Sequence, residues 1–216
     1  MELTKEQVGK VQHFLETKNF DYLDLKIEVL DHMVSEIEML MDKNITFNKA
    51  FKMVTLKWQD DFKMTSSLYF GIQYSESKIV IKKAIKQFRL YFLLYVVSYF
   101  LPLILLKLSD ISFSESFVSF ANGFLMSFIL CMNVYVLYIF IKVKKSKVKT
   151  TASFVLRTQY FGLIFLVVSL LVGVFDKNGS LNPVMTGFTF AGFAVVFICN
   201  RFYKKHLAVI SKFKSV

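Results

Sequence analysis

Four long apolar runs, separated by short polar connectors, constrain this chain more than any other feature. They cover Leu90–Leu106, Phe117–Ile141, Tyr160–Phe175 and Val184–Phe202, or 17, 25, 16 and 19 residues. Crossing about 30 Å of hydrocarbon takes about 20 helical residues at 1.5 Å each. The two shorter runs reach that length with their flanks: Arg89 and Lys107 extend aliphatic stems toward the headgroups, and Phe154–Gln159 continues the third helix inward. Arg201, at the end of the last run, is the one full charge inside the four. Helices apolar on every side do not face water. The sequence therefore predicts an all-α chain: a helical domain over residues 1–75, then a transmembrane domain over 76–216 with spans near 90–106, 117–141, 157–175 and 184–202.

Composition agrees, with 55% hydrophobic residues against 20% charged. The charge is divided along the chain. Up to Ser75 there are nine Lys and twelve acids, a net of −3; from Glu76 onward eighteen Lys plus Arg stand against four acids, a net of +14. A basic chain of this kind raises nucleic acid as a partner. Here the positive charge lies beside the apolar runs, which points to the lipid bilayer and predicts no nucleic-acid partner. Cys131 and Cys199 both fall inside apolar runs and read as small buried hydrophobes, with no disulfide framework. The opening MELTKEQVGK lacks the apolar core of a cleavable signal, so the first helices are expected to stay on the side of synthesis.

Charge also orients the spans. The connector between the second and third carries Lys142, Lys144, Lys145, Lys147, Lys149 and Arg157 and no acid. Lys78, Lys82, Lys83, Lys86 and Arg89 precede the first span, and Lys204, Lys205, Lys212 and Lys214 follow the last. The connectors Lys107–Ser116 and Asp176–Pro183 hold one Lys each. Cytosolic connectors are the lysine-rich ones, so both termini and the middle connector are expected in the cytosol. Tyr91, Tyr135, Tyr138, Tyr160 and Tyr203 fall toward the same ends, where a phenol sits well among headgroups. The expected location is a membrane crossed several times, with both ends of the chain on its cytosolic side.

Before the spans the periodicity is that of amphipathic helices. Thr4 and Gln7 form a capping box that opens a helix to about Thr17, with Val8, Val11, Phe14 and Leu15 on one face. A second helix starts near Asp21, and Leu23, Ile27, Leu30, Val34, Ile37 and Met41 predict its seam. Thr46 is expected to cap a third, with Phe47, Ala50, Phe51, Val54, Trp58 and Phe62 inward. Ser75 or Ser77 then starts a fourth helix that runs without Gly or Pro into the first span, about 30 residues or about 45 Å long. Such a rod serves either as a tether or as a coupling element.

The second helix carries a polar stripe of Asp24, Glu28, Asp31, His32, Ser35 and Glu36. Glu28, His32 and Glu36 are four apart and share a face, yet one His with two carboxylates on a single helix lacks the converging ligands of a closed metal site. A solvated, partner-facing surface is the expected role of Asp24, Glu28, Asp31, His32 and Glu36. In the spans, Ser119, Gly123 and Ser127, and likewise Gly187 and Ala191, have the small-residue spacing that lets helices approach closely. Asn122 and Asn133, eleven residues apart on nearly one face, either bond between helices or line a polar path. Transport driven by ions or protons commonly needs ionisable groups at mid-membrane, and the runs hold none there. No catalytic motif, metal set or cofactor fingerprint stands out in the sequence.

The stretch Tyr22-Leu23-Asp24-Leu25-Lys26-Ile27-Glu28-Val29-Leu30-Asp31-His32, followed by Glu36, Thr46-Phe47 and Ala50-Phe51, resembles a pattern of four-helix membrane proteins common in Bacteroidota. More loosely it is similar to the HAAS-type helical domain, which precedes several membrane helices. The resemblance covers about Leu3 to Phe62. It departs from HAAS domains after the third helix, where Leu56-Lys57-Trp58-Gln59 continues in place of a Gly-Pro turn. Twenty-four Lys against three Arg suits an AT-rich bacterial genome. The resemblance implies a signalling or accessory protein. The leading expectation is a non-enzymatic membrane protein whose N-terminal domain binds a protein partner; the alternatives are a small, homo-oligomeric channel or carrier lined by Asn122 and Asn133, and a lipid enzyme drawn to headgroups by the basic connector.

Overall fold

A computed structural model describes residues 2–108 and 111–214, with the backbone alone at Lys214. Ser109 and Asp110 of the first connector, and the Lys214 side chain expected beyond the last span, lie outside the described residues. The fold is mostly helical. Among the described residues, four helices are long and apolar enough to cross a membrane: Lys78–Lys107, Glu115–Ser146, Thr151–Val172 and Pro183–Phe213. By that measure the chain is a multi-pass membrane protein. It divides into two compact units, one of Met1–Lys86, Val148–Phe154 and Val209–Val216, the other of Gln87–Lys147 and Val155–Ala208.

The first unit begins with α1 (Lys5–Thr17), α2 (Leu23–Met41) and α3 (Phe47–Trp58). The Thr4 hydroxyl accepts from Gln7 N–H at 3.3 Å and the Gln7 side chain accepts from Thr4 N–H at 2.9 Å, a complete capping box. Asn19 and Asn44 take left-handed backbone, φ 51° and 62°, just past α1 and α2, where Asn tolerates what most residues do not. The core joins Val11 and Leu15 to Leu25, Val29, Met33 and Ile37, and to Ala50 and Val54. On α2 the buried row differs from the expected seam. Ile27 is exposed, while Leu25, Val29 and Met33 are buried, because α2 packs against both α1 and α3 and its apolar stripe is centred between them. Phe14, Phe20, Phe51 and Phe62 close the cluster edge to face, with centroids 5.2–6.2 Å apart.

A hairpin that the helical reading misses follows: β1 (Met64–Ser67) pairs antiparallel with β2 (Gly71–Ser77), with an irregularity between Thr65 and Ser67. Helix α4 (Lys78–Lys107, 30 residues) starts directly after β2. Among the described residues the buried Ser77 hydroxyl has no partner, so it is not the expected side-chain cap. Backbone carbonyls replace it: Lys78 N–H donates to Lys63 O at 2.9 Å and Ile79 N–H to Asp61 O at 3.0 Å.

The second unit contains the rest of α4, all of α5 (Glu115–Ser146) and α7 (Leu163–Val172), the second half of α6 (Thr151–Thr158) and most of α8 (Pro183–Lys214). A 3-10 turn, Gln159–Gly162, joins α6 to α7, and Gly173 at φ 83° ends the third span two residues before the expected Phe175. Three glycines mark where helices touch. A methyl on Gly187 would stand 2.8 Å from Tyr99 O, on Gly162 2.7 Å from Val195, and on Gly192 2.3 Å from Leu166. Tyr99 stacks on Phe188 at 5.4 Å, and Phe165 meets Phe188 at 5.1 Å. α8 is the most enclosed of the four apolar helices, whereas the apolar stretch of α4 has no buried residue among those described.

At one end of this unit the two lysine-poor connectors pair with each other. Ser112 bridges Ser180, and Phe113 N–H donates to Gly179 O at 3.0 Å. Gly179, at φ 74°, is required there, since a methyl would lie 2.4 Å from Phe113 O. Cys199 is buried in the packing around α8, but Cys131 is exposed, against expectation. In a span the exposed surface faces hydrocarbon, so an apolar thiol gains nothing by turning inward.

Candidate functional site

The polar stripe of α2 separates into members that are held within the first unit and members that are open. Asp24 stands in the first turn of α2, where a carboxylate is favoured by the helix dipole. Its Oδ1 accepts from Thr151 N–H at 2.9 Å, the first residue of α6. One carboxylate thus serves two helix N-termini. The connector that α6 begins is fixed at further points: Leu23 N–H donates to Lys149 O at 2.9 Å, Tyr22 bridges Lys149, and Lys149 pairs with Asp21 at 3.4 Å. Thr150 and Ser153 cap each other reciprocally, at 2.9 and 3.0 Å. Phe154 packs edge to face on Phe70 at 5.2 Å.

Lys83 of α4 binds the same end of α2. Its Nζ donates to Glu28 Oε2 at 2.6 Å and to Asp24 O at 3.1 Å, and lies 3.8 Å from Asp24 Oδ2. The Asp24 side chain is only 13% exposed, so losing its partners would leave a nearly buried charge. Glu36 pairs with Lys57 of α3 at 2.8 Å. Asp31, His32 and Ser35 are exposed on α2. Of the five expected partner-facing residues, then, Asp24, Glu28 and Glu36 tie the unit together, while Asp31 and His32 point to solvent. No group of three metal-ligating side chains converges among the described residues.

The spans divide in the same way. Gly187 and Ala191 are buried, and Gly187 lies against the Tyr99 backbone. Ser119, Gly123 and Ser127 are exposed; a methyl on Gly123 would meet nothing within 4 Å, and the Ser127 hydroxyl turns back to Gly123 O at 2.9 Å. Asn133 donates to Ile129 O of its own helix at 2.9 Å, and Asn122 is half-buried. Polar pairings between helices use Tyr135, read from the sequence only as a headgroup-level phenol, and Asn200, Ser146 and His206, which that reading passes over. Tyr135 donates to Asn200 Oδ1 at 3.1 Å, and Ser146 Oγ stands 3.1 Å from Nε2 of the fully buried His206. The Ser146 hydroxyl also reaches Val143 O of its own helix, at 2.7 Å. An Asn or His on the enclosed face of an apolar helix is the signal that finds such pairs.

The fold and these contacts define a mostly helical, multi-pass membrane protein whose chain divides into two compact units. Comparison with family models, with curated proteins and with solved structures finds no match for the chain.

Proposed function

We propose that this chain is a non-enzymatic accessory or signalling protein of a bacterial inner membrane, with both termini and the Lys142–Arg157 connector in the cytosol, and that its N-terminal unit recognises a protein partner. The lysine-rich segments support this orientation. The membership of the first unit supports it too: the N-terminal helices, Val148–Phe154 and the end of α8 make one compact body, and segments of one body share a compartment.

The single observation that carries the functional reading is the Asp24–Thr151 hydrogen bond, 127 residues apart in the chain. Helix α2 clamps the connector between the second and third spans with one face and leaves Asp31, His32 and Ser35 open on another. A partner resting on the open face binds the helix that holds the connector, so its binding free energy can bias how that connector sits. Copurification in mild detergent from cells making the tagged chain at native level tests this. One stoichiometric protein is expected, lost from the Asp31→Lys, His32→Glu double variant. Recovery of the chain alone at every expression level would overturn the reading.

A further inference from the structure

We propose that the turn of the β1–β2 hairpin is a second, shallow membrane anchor, in which Leu68, Tyr69 and Ile72 rest in the headgroup and upper acyl region of the bilayer that the chain spans. Leu68 is 88% exposed, Ile72 75%, Met64 66% and Tyr69 40%. Apolar side chains so displayed are unfavourable in water, and a lone two-stranded hairpin is marginal there. The stretch 64–75 also holds no charge, although residues 1–75 carry twenty-one charged side chains. Water-facing turns are seldom built without charge beside exposed Leu and Ile; interfacial segments are, with a Tyr among them.

Its place along the chain identifies the occupant. Phe70, in the turn itself, is buried and packs on Phe154 at 5.2 Å. Phe154 stands six residues before Tyr160, where the third apolar run starts. At 1.5 Å per residue that is about 9 Å, the depth of a headgroup layer. The turn thus packs on a residue of Thr151–Val172, a helix long and apolar enough to cross a membrane, and lipid is the covering that such a helix brings within reach. Gly71, at φ 90°, gives the tight return into β2 that projects Leu68 and Ile72 outward. The inference rests on the membrane reading of the four apolar helices and not on the partner surface of α2.

Tryptophan quenching in the full chain, reconstituted in phospholipid vesicles, tests it. Trp58 is the sole native Trp and is retained as the common background. In Leu68→Trp, phospholipids brominated high on the acyl chain should remove roughly half or more of the added emission, while aqueous acrylamide removes little. Met39→Trp, on a position flanked by Glu38 and Asp42, should show the reverse. If Leu68→Trp fails to fold, Ile72→Trp reports the same surface. Added emission reached by acrylamide and not by bromine would mean the turn is in water. Blue-shifted emission indifferent to both would mean that protein, a second copy or another chain, covers it. Either result overturns the proposal.

Discussion

Two rows of small residues with the same four-residue spacing have opposite surroundings. On α8, Gly187 and Ala191 are buried, with the Tyr99 backbone against Gly187; on α5, Ser119, Gly123 and Ser127 lie open, with nothing near Gly123. The α2 stripe repeats the contrast, since Asp24 is held and Asp31 is free to solvent. Spacing along a helix says which residues share a face. It does not say what the face meets. α8 is enclosed and so its row is used within the chain, whereas α5 offers its row outward.

The largest effect should come from filling the used row. Gly187→Leu must push its Cβ into Tyr99 O, a backbone atom that cannot swing aside, and overpacking of this kind costs about 1–3 kcal/mol or more. Gly123→Leu has open space and should stay within about 0.5 kcal/mol. Thermal unfolding of the two variants in detergent checks this, and equal loss in both would break the contrast. Next comes the polar pair. Asp24→Ala removes the cap of α6 and should cost about 1–2 kcal/mol, with faster hydrogen exchange at the Thr151 amide, while Asp24→Asn keeps an acceptor and loses less. Asp31→Ala should leave both stability and that exchange rate unchanged.

How much of this is legible in sequence depends on how local each cause is. The Thr4–Gln7 box is complete within four residues, and the four apolar runs need only their own composition to be read. The α2 seam is misphased because its centre depends on two helices packing at once, which places Leu25, Val29 and Met33 inward and Ile27 outward. The hairpin escapes a reading tuned to helical periods; Ile72 and Tyr74 alternating after Gly71 are the trace it leaves. Asp24 is legible as a surface carboxylate, but its partner lies 127 residues away, beyond any periodicity.

A smaller contrast concerns acid. Asp60 is held down to about 2, first by its hydrogen bond from Lys78 and then by Lys63, and Lys78 is raised in turn. Because the folded value is depressed, this tie is fully present above the ordinary 3.8 and is lost as pH falls from there through about 2. Titration of the carboxyl carbons by NMR should show Asp60 still ionised at pH 3, and Asp60→Asn should remove that part of the acid sensitivity. The effect on stability is small, since both groups are at the surface.

The central claim of the proposal is that α2 shares the cytosol with the Lys142–Arg157 connector, of which Val148–Phe154 belongs to the same unit as α2, while the Lys107–Ser116 and Asp176–Pro183 connectors lie on the other side of the membrane. Single cysteines at Asp31, Lys145 and Asn178, in a chain with Cys131 and Cys199 replaced by Ala, test it with a membrane-impermeant maleimide on intact cells. The account predicts labelling at 178 alone, and labelling at 31 and 145 only after the cells are opened. Labelling that separates 31 from 145 would contradict it.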